Sequence, residues 1–124
     1  MSLILVVEDE SSVARTIEEW LQLEGHQVVV AGSGEAAMDW FRTTQLRPEA
    51  ALLDIKLPGI NGFSVADRLK GEFGFNRVIF VSAFFWEEET RQELATRAQP
   101  FFQKPLKFQA ELLPFLREYL TVKE

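Results

Sequence analysis

The sequence feature that most constrains the fold is a short apolar run, Ala50 to Leu53, that ends directly on an acid, Asp54. Apolar residues in succession indicate a strand that is buried on both faces, as in a parallel sheet covered by helices on either side. Pro58-Gly59 and Asn61-Gly62 mark a turn just beyond it. Asp54 is therefore predicted at the carboxyl end of a central strand, the edge at which open α/β sheets place their chemistry.

Strand-like apolar runs and helix-like amphipathic patterns alternate five times along the chain. Such alternation predicts parallel strands joined by right-handed crossovers. We therefore expect a single domain, residues 1–124, built as a three-layer α/β sandwich with a five-stranded parallel sheet and helices on both faces. The predicted strands are 3–7, 27–31, 50–54, 77–81 and 101–103, and the predicted helices end near Glu24, Thr44, Gly71, Ala98 and Thr121.

Composition limits the classes of protein to which the chain can belong. It contains no cysteine, which excludes disulfides and thiol chemistry. It has neither the run of about 18 apolar residues that a membrane-spanning helix needs nor a basic-then-apolar leader, so we expect a cytoplasmic protein with no membrane partner. The net charge of −6 leaves no basic face for nucleic acid, so direct binding of DNA or RNA is not expected.

Chemically active side chains follow four of the predicted strands. Glu8 and Asp9 follow the first, Asp54 ends the third, and Ser82 and Lys104 follow the fourth and fifth. Because the carboxyl ends of parallel strands lie along one edge of a sheet, we expect these side chains to meet. Close carboxylates raise each other's pKa unless a counter-charge is present. An all-oxygen ligand set favours Mg²⁺ as that counter-charge.

Lys104 and Ser82 extend the expected chemistry from metal binding to anion binding. A lysine pairs well with a carboxylate or a phosphoryl oxygen, and a serine hydroxyl donates a hydrogen bond. With a metal they would neutralise an anion bonded to Asp54, for which a phosphoryl group is the natural candidate. The alternatives are that Asp54 caps a helix, that Lys104 is a surface lysine, that Ser82 is a turn residue, and that Glu8 is solvated beside Asp9.

Six segments occur in a recognisable order along the chain. They are the apolar strand into Glu8-Asp9-Glu10, Gly25-His26-Gln27-Val28, Gly34-Glu35-Ala36-Ala37, the segment 52–62, Val81-Ser82-Ala83, and Phe101-Phe102-Gln103-Lys104-Pro105. Because these segments occur together and at this spacing, the sequence resembles the receiver domain of two-component response regulators over nearly its whole length. The resemblance implies a flavodoxin-like (βα)5 fold.

The resemblance also implies a role for each residue of the site. Asp54 would accept a phosphoryl group, and Mg²⁺ would be bound directly by Asp9, through water by Glu8, and by the backbone carbonyl of Lys56. Ser82 would hydrogen-bond the phosphoryl group and Lys104 would pair with it. Two further implied features are Phe101 as the aromatic side chain whose rotamer follows Ser82, and a cis peptide bond at Lys104-Pro105.

The implied partners and output follow from the same resemblance. The phosphoryl donor would be a sensor histidine kinase or a histidine phosphotransfer protein. Helix four, strand five and helix five would form the output surface, and a homodimer through these elements is consistent with the family. The chain would catalyse only its own phosphorylation and dephosphorylation, and would not be a turnover enzyme.

The chain departs from the family pattern at four places. Lys56 stands two residues after the acceptor, where its side chain is expected to compete with Mg²⁺ or to change the lifetime of the phosphoryl bond. Arg97-Ala98 replaces a common Gly-Ala and removes an easy left-handed helix cap. Pro114 falls inside the last predicted helix and costs about 3 kcal/mol unless a kink absorbs it. Phe84-Phe85-Trp86 forms a bulky apolar loop that either packs over helix four or faces a partner.

Other functions on the same fold are alternatives to a phosphoacceptor. A pseudo-receiver would act as a phosphorylation-independent protein-interaction module, which Lys56 and the altered output face favour. A Mg²⁺-dependent aspartyl-phosphate hydrolase usually needs a second acid two residues after its nucleophile, where this chain has Lys56. A flavin site is disfavoured because the loop after the first strand is acidic and has no phosphate cradle.

Overall fold

The polypeptide alternates strictly between strands and helices in a computed structural model that describes residues 2–84 and 86–121. One residue of the predicted aromatic loop, Phe85, lies outside the described residues. The strands are β1 (Leu3–Val7), β2 (Gln27–Ala31), β3 (Ala50–Asp54), β4 (Val78–Ser82) and β5 (Phe101–Gln103). The helices are α1 (Ser11–Leu23), α2 (Gly34–Thr43), α3 (Gly62–Phe73), α4 (Glu88–Thr96) and α5 (Leu113–Tyr119), with a π-helical segment, Phe108–Leu112, leading directly into α5.

The five strands form one parallel sheet in the order β2-β1-β3-β4-β5. Central strand β3 pairs Leu53 with Val7 of β1 on one side and with Phe80 of β4 on the other. Its five residues are all buried because helices cover both faces of the sheet. The predicted three-layer sandwich is confirmed. Among the described residues, no helix combines the length and the apolar character that crossing a bilayer requires.

Alternate residues of each strand feed two separate cores. In β1, Leu5 and Val7 pack with α2, α3 and the one core leucine of α4, whereas Ile4 and Val6 pack with α1 and α5. This is the period of two expected for a strand with both faces buried. The two cores hold β1 and β3 from both sides, which fixes the position of their carboxyl ends.

The third helix is longer than the sequence predicts. It ends at Phe73 rather than near Gly71, and Gly74, with a φ of 68°, forms a left-handed cap. The two additional residues bring the ring of Phe73 to 5.2 Å from the ring of Phe41, and Phe75 packs on the same ring from beyond the cap. Burial of these rings therefore outweighs Gly71 as a stop signal.

Helix α4 is the least embedded of the helices. Within it only Thr90 and Leu94 are buried. The sequence predicts a thin apolar face in which Ala95 and Ala98 accompany Leu94, but both alanines are exposed and Ala98 lies beyond the helix end. With so little apolar burial, α4 depends on contacts at its two ends.

Arg97 fastens the carboxyl end of α4. The chain leaves the helix at Arg97 in an extended conformation, so the missing glycine is not replaced by another left-handed cap. The guanidinium lies 3.1 Å from Asp67 of α3 and 2.8 Å from Glu93. It also stacks 4.8 Å from the ring centre of Phe63. Arg97 therefore ties this end of α4 to α3.

The sequence predicts Pro114 inside the last helix, whereas the structure places it at the start of α5, directly after a π-helical segment. The segment Phe108–Leu112 is π-helical, and Pro114 stands in the first turn of α5, where its missing N–H costs least. The ring of Phe108 stacks on Trp20 of α1 at 5.2 Å between centroids, which anchors the π-helical segment to that helix. The last helix ends at Tyr119, two residues before the predicted end.

Candidate functional site

Three carboxylates meet at the carboxyl edge of the sheet. Glu8 and Asp9 directly follow β1, and Asp54 is the last residue of neighbouring strand β3. One oxygen from each carboxylate lies within 4.8 Å of the other two. Glu8 is 2% exposed and Asp54 is 5% exposed, whereas Asp9 is at the surface. The alternative that Glu8 is solvated is therefore wrong.

Lys104 joins this cluster from the far side of β4. Its ammonium lies 2.9 Å from one carboxylate oxygen of Asp54 and also donates a hydrogen bond to Glu8. Its side chain is 12% exposed, so Lys104 is not a surface lysine. The Lys104-Pro105 peptide bond is cis.

Burial and charge perturb both members of the Glu8–Lys104 pair. Burial raises the pKa of Glu8, an effect that the hydrogen bond from Lys104 opposes and the charge on Asp54 reinforces. Burial acts to lower the pKa of Lys104, but hydrogen bonds to Glu8 and Asp54 outweigh it, so this pKa is raised. Lys104 therefore stays protonated and supplies one positive charge to the buried acids beside it.

The second oxygen of Asp54 is also held. Oδ1 accepts a hydrogen bond of 3.2 Å from the backbone N–H of Lys56. The cap of the following helix, α3, is Asn61, whose side chain accepts from the N–H of Ser64 at 3.0 Å. Asp54 is therefore not the cap of α3, and its carboxylate stays oriented toward Lys104.

Gly62 allows helix α3 to begin close to Asp54, a role that the sequence alone did not predict, since it indicated only a turn there. A Cβ at Gly62 would lie 2.3 Å from the backbone oxygen of Asp54 and 2.8 Å from Cα of Ile55. The N–H of Gly62 donates to the carbonyl of Ile55 at 2.8 Å. Only glycine allows α3 to begin this close to the end of β3, and Asn-Gly directly after the strand is the available signal.

Ser82 and Phe101 lie on the β4–β5 side of the site. Ser82 is the last residue of β4 and is 1% exposed, one position beyond the predicted strand end. Its Oγ accepts a hydrogen bond of 2.9 Å from the N–H of Phe84. Phe101, the first residue of β5, lies opposite Phe80 and is exposed.

Glu87 is a second residue whose contact at the site the sequence did not predict. The ammonium of Lys56 lies 2.9 Å from Glu87 Oε1 and 5.7 Å from the ring centre of Phe84. From the sequence, the acidic run 87–89 indicates only favourable charge at a helix N-terminus. In the structure Glu87, the first residue of this run, pairs with Lys56, because the β3–α3 loop lies next to the start of α4.

The donor set fits a small hard cation. Three carboxyl groups face one ammonium, so the formal charge of the described residues of the cluster is −2. All three side chains offer oxygen, which is the ligand type of Mg²⁺. The exposed position of Asp9 leaves one side of the cluster open to water and to an incoming ligand.

Comparisons with known proteins agree with this geometry. The chain is 30% identical to sporulation initiation phosphotransferase F of Bacillus subtilis over 97% of this chain and 94% of that protein. It is 34% identical to the DNA-binding response regulator MtrA of Mycolicibacterium paratuberculosis over 84% of this chain, but it spans only 45% of that longer protein.

The response regulator protein TrrA of Thermotoga maritima, solved in complex with Mg²⁺-BeF, superposes with a TM-score of 0.81 at 29% identity, over 96% of this chain and 99% of that one. The family model of the response regulator receiver domain matches residues 4–114. This chain therefore belongs to the response regulator receiver domains of two-component systems.

Proposed function

We propose that Asp54 accepts a phosphoryl group from a sensor histidine kinase or a histidine phosphotransfer protein in a Mg²⁺-dependent reaction. The observation that carries the proposal is the position of the Asp54 carboxylate, which is buried, held through both oxygens, and 2.9 Å from the Lys104 ammonium. In this proposal residues 1–124 act as one receiver domain. The similarity to a sporulation initiation phosphotransferase supports phosphoryl transfer as the chemistry of the site.

Glu8, Asp9, Asp54 and the backbone carbonyl of Lys56 are the proposed metal ligands, with Asp9 binding directly and Glu8 through water. Bound Mg²⁺ would supply positive charge next to the transferred phosphoryl oxygens. The clustered oxygens and the excess negative charge support this assignment, as does the Mg²⁺ present in the TrrA complex.

The transfer itself requires positioning more than covalent chemistry from the protein. A carboxylate oxygen of Asp54 attacks phosphorus, an O–P bond forms, and the P–N bond to the donor histidine breaks with the electron pair left on nitrogen. In this proposal Lys104 pairs with a phosphoryl oxygen. The hydroxyl of Ser82, which accepts from the N–H of Phe84, turns to donate a hydrogen bond to the phosphoryl group. Water later attacks the same phosphorus, the O–P bond to Asp54 breaks, and inorganic phosphate leaves as the carboxylate is restored.

Phosphorylation is proposed to change the surface formed by α4, β5 and α5. Ser82 is buried at the end of β4, and Phe101 lies on the adjacent strand with its ring exposed. Movement of the Ser82 hydroxyl toward the phosphoryl group opens space into which Phe101 turns. The same surface is the proposed site of partner binding or of a homodimer.

Intact mass after incubation with a small acyl phosphate and Mg²⁺ tests the proposal. We expect one phosphoryl group on the wild-type chain and none on Asp54→Asn. Asp39→Asn is the matched control, because Asp39 is an exposed aspartate of α2 whose carboxylate pairs with Arg42 of the same helix. An adduct on Asp54→Asn, or none on the wild type, overturns the proposal.

A further inference from the structure

The contact between Lys56 and Glu87 spans two elements that the site must coordinate. Lys56 follows β3, and its backbone N–H is bonded to the Asp54 carboxylate at 3.2 Å. Its ammonium lies 2.9 Å from Glu87, the residue that caps the amino end of α4. One residue therefore touches the acceptor through its backbone and helix α4 through its side chain.

The Lys56–Glu87 contact is a principal tether at the amino end of α4. Glu87 makes no capping hydrogen bond with its own side chain. Its carboxylate instead forms an ion pair with the Lys56 ammonium and accepts a hydrogen bond of 3.4 Å from the hydroxyl of Thr90. The helix buries only Thr90 and Leu94. At the opposite end Arg97 binds Asp67 and stacks on Phe63. The carboxyl end is thus anchored to α3 by several side-chain contacts. The amino end is held by the half-exposed ion pair, by buried Thr90 and by the hydrogen bond from the Glu87 N–H to the Phe84 carbonyl.

Charge added at Asp54 competes directly with Glu87 for Lys56. A phosphoryl group carries a charge of about −1.5 to −2, which is larger than that of a single carboxylate. The lysine stem is long and flexible, and its backbone is already fixed beside Asp54. Once Lys56 turns to the phosphoryl group, Glu87 loses its paired cation at a helix end that also carries Glu88 and Glu89.

We propose that Lys56 is a charge-sensing latch: its ammonium holds the amino end of α4 through Glu87 before phosphorylation and moves to the phosphoryl group on Asp54 afterwards, which frees that end of the helix. This inference rests on the proposed phosphorylation of Asp54. It assigns Lys56 to conformational signalling, and it makes α4 pivot about Arg97 rather than move as a whole.

Hydrogen exchange of the Arg91 amide measures the latch, because this amide donates to the carbonyl of Glu87 at 3.0 Å. In the unphosphorylated chain, we expect Glu87→Gln to raise its exchange rate by about 2- to 5-fold, the range for loss of an exposed ion pair. Glu88→Gln removes the same charge from the same turn without a contact to Lys56 and is expected to leave the rate unchanged. The Arg97 amide, at the anchored end, is the internal control.

The same measurement in excess acyl phosphate and Mg²⁺, with intact mass read on each sample, completes the test. We expect the wild type to reach the exchange rate of Glu87→Gln once phosphorylated, and the two proteins to become indistinguishable. Equal effects of Glu87→Gln and Glu88→Gln, or a Glu87→Gln effect that persists after phosphorylation, overturns the latch alone. Absence of the phosphoryl adduct in both proteins overturns the proposed function and the latch together.

Discussion

The Lys104 ammonium lies 2.9 Å from the Asp54 carboxylate although the two residues lie at the ends of strands that are not neighbours in the sheet. Lys104 comes after edge strand β5, Asp54 ends central strand β3, and the ion pair passes over the end of β4. Ser82, the last residue of β4, lies at this strand end between Asp54 and Lys104. A phosphoryl group on Asp54 would therefore be met by an ammonium and a hydroxyl.

Removing the Lys104 charge is expected to destabilise the fold. Lys104→Met leaves Glu8 and Asp54 as buried carboxylates without a cation, and breaking a buried pair in this way costs about 3 kcal/mol. Urea denaturation in the absence of divalent cations measures the free energy of unfolding. Lys107→Met, at an exposed lysine nearby, is the control and should change it by less than about 0.5 kcal/mol. Equal losses in the two variants would show that the buried pair does not stabilise the domain.

Mg²⁺ is expected to stabilise the chain through the carboxylate cluster. At ten times its dissociation constant a ligand of the folded state adds about 1.4 kcal/mol to the free energy of unfolding. Asp9→Asn should abolish most of this gain, because Asp9 is the proposed direct ligand, whereas Glu10→Gln, one residue on, should keep it. Thermal unfolding with and without MgCl₂ provides the measurement. The metal assignment is contradicted if Asp9→Asn and the wild type gain the same stability.

Two glycines of α3 should respond oppositely to alanine. Gly62→Ala places a Cβ 2.3 Å from the backbone oxygen of Asp54, so we expect a loss of about 2 kcal/mol or more. Gly71→Ala meets no atom within 4 Å and lies in the helix interior, so a gain of about 0.5–1 kcal/mol is expected. Chemical denaturation of both variants tests this. If Gly62→Ala were also stabilising, the close approach of α3 to β3 would not exist in solution.

His26 is expected to make folding stability depend on pH. Burial lowers its pKa in the folded chain, an effect that the charge of Glu24 opposes, and among the described residues no hydrogen-bond partner reaches its Nδ1. The unfolded chain therefore binds a proton near pH 6.5 when the folded chain does not, so stability is lost as the pH falls below that value. The loss cannot exceed about 1.4 kcal/mol per pH unit for one proton.

The comparison of wild type with His26→Gln isolates this contribution from that of the carboxylates. Unfolding free energies are measured by urea denaturation at about pH 7.5 and about pH 5.5, on either side of the ordinary histidine pKa. The wild type should lose more stability than His26→Gln over this interval. A parallel response of the two proteins would mean that His26 titrates alike in the folded and unfolded chains.

Local patterns in the sequence predict the fold and identify the residues that form the site. The continuous apolar runs predict strands that are buried on both faces, and their alternation with amphipathic segments predicts parallel crossovers. Residues after parallel strands then lie at one edge of the sheet. Glu8, Asp54 and Lys104 could be placed together on this ground alone. Each strand and helix is inferred from residues that are close in the chain, and the meeting of the three distant side chains follows from the parallel topology.

Helix ends and side-chain pairings followed from packing instead. Phe73 packs on Phe41, and α3 therefore continues beyond Gly71. Lys56 forms an ion pair with Glu87 because the β3–α3 loop lies beside the start of α4. These contacts join residues far apart in sequence, and each depends on distances of a few ångströms set by both cores together. The chain's pattern of apolar and acidic residues thus determined which strands form and which acids share an edge. Only the tertiary structure determined which lysine or arginine pairs with each carboxylate, since an ion pair forms between charges that packing brings within a few ångströms.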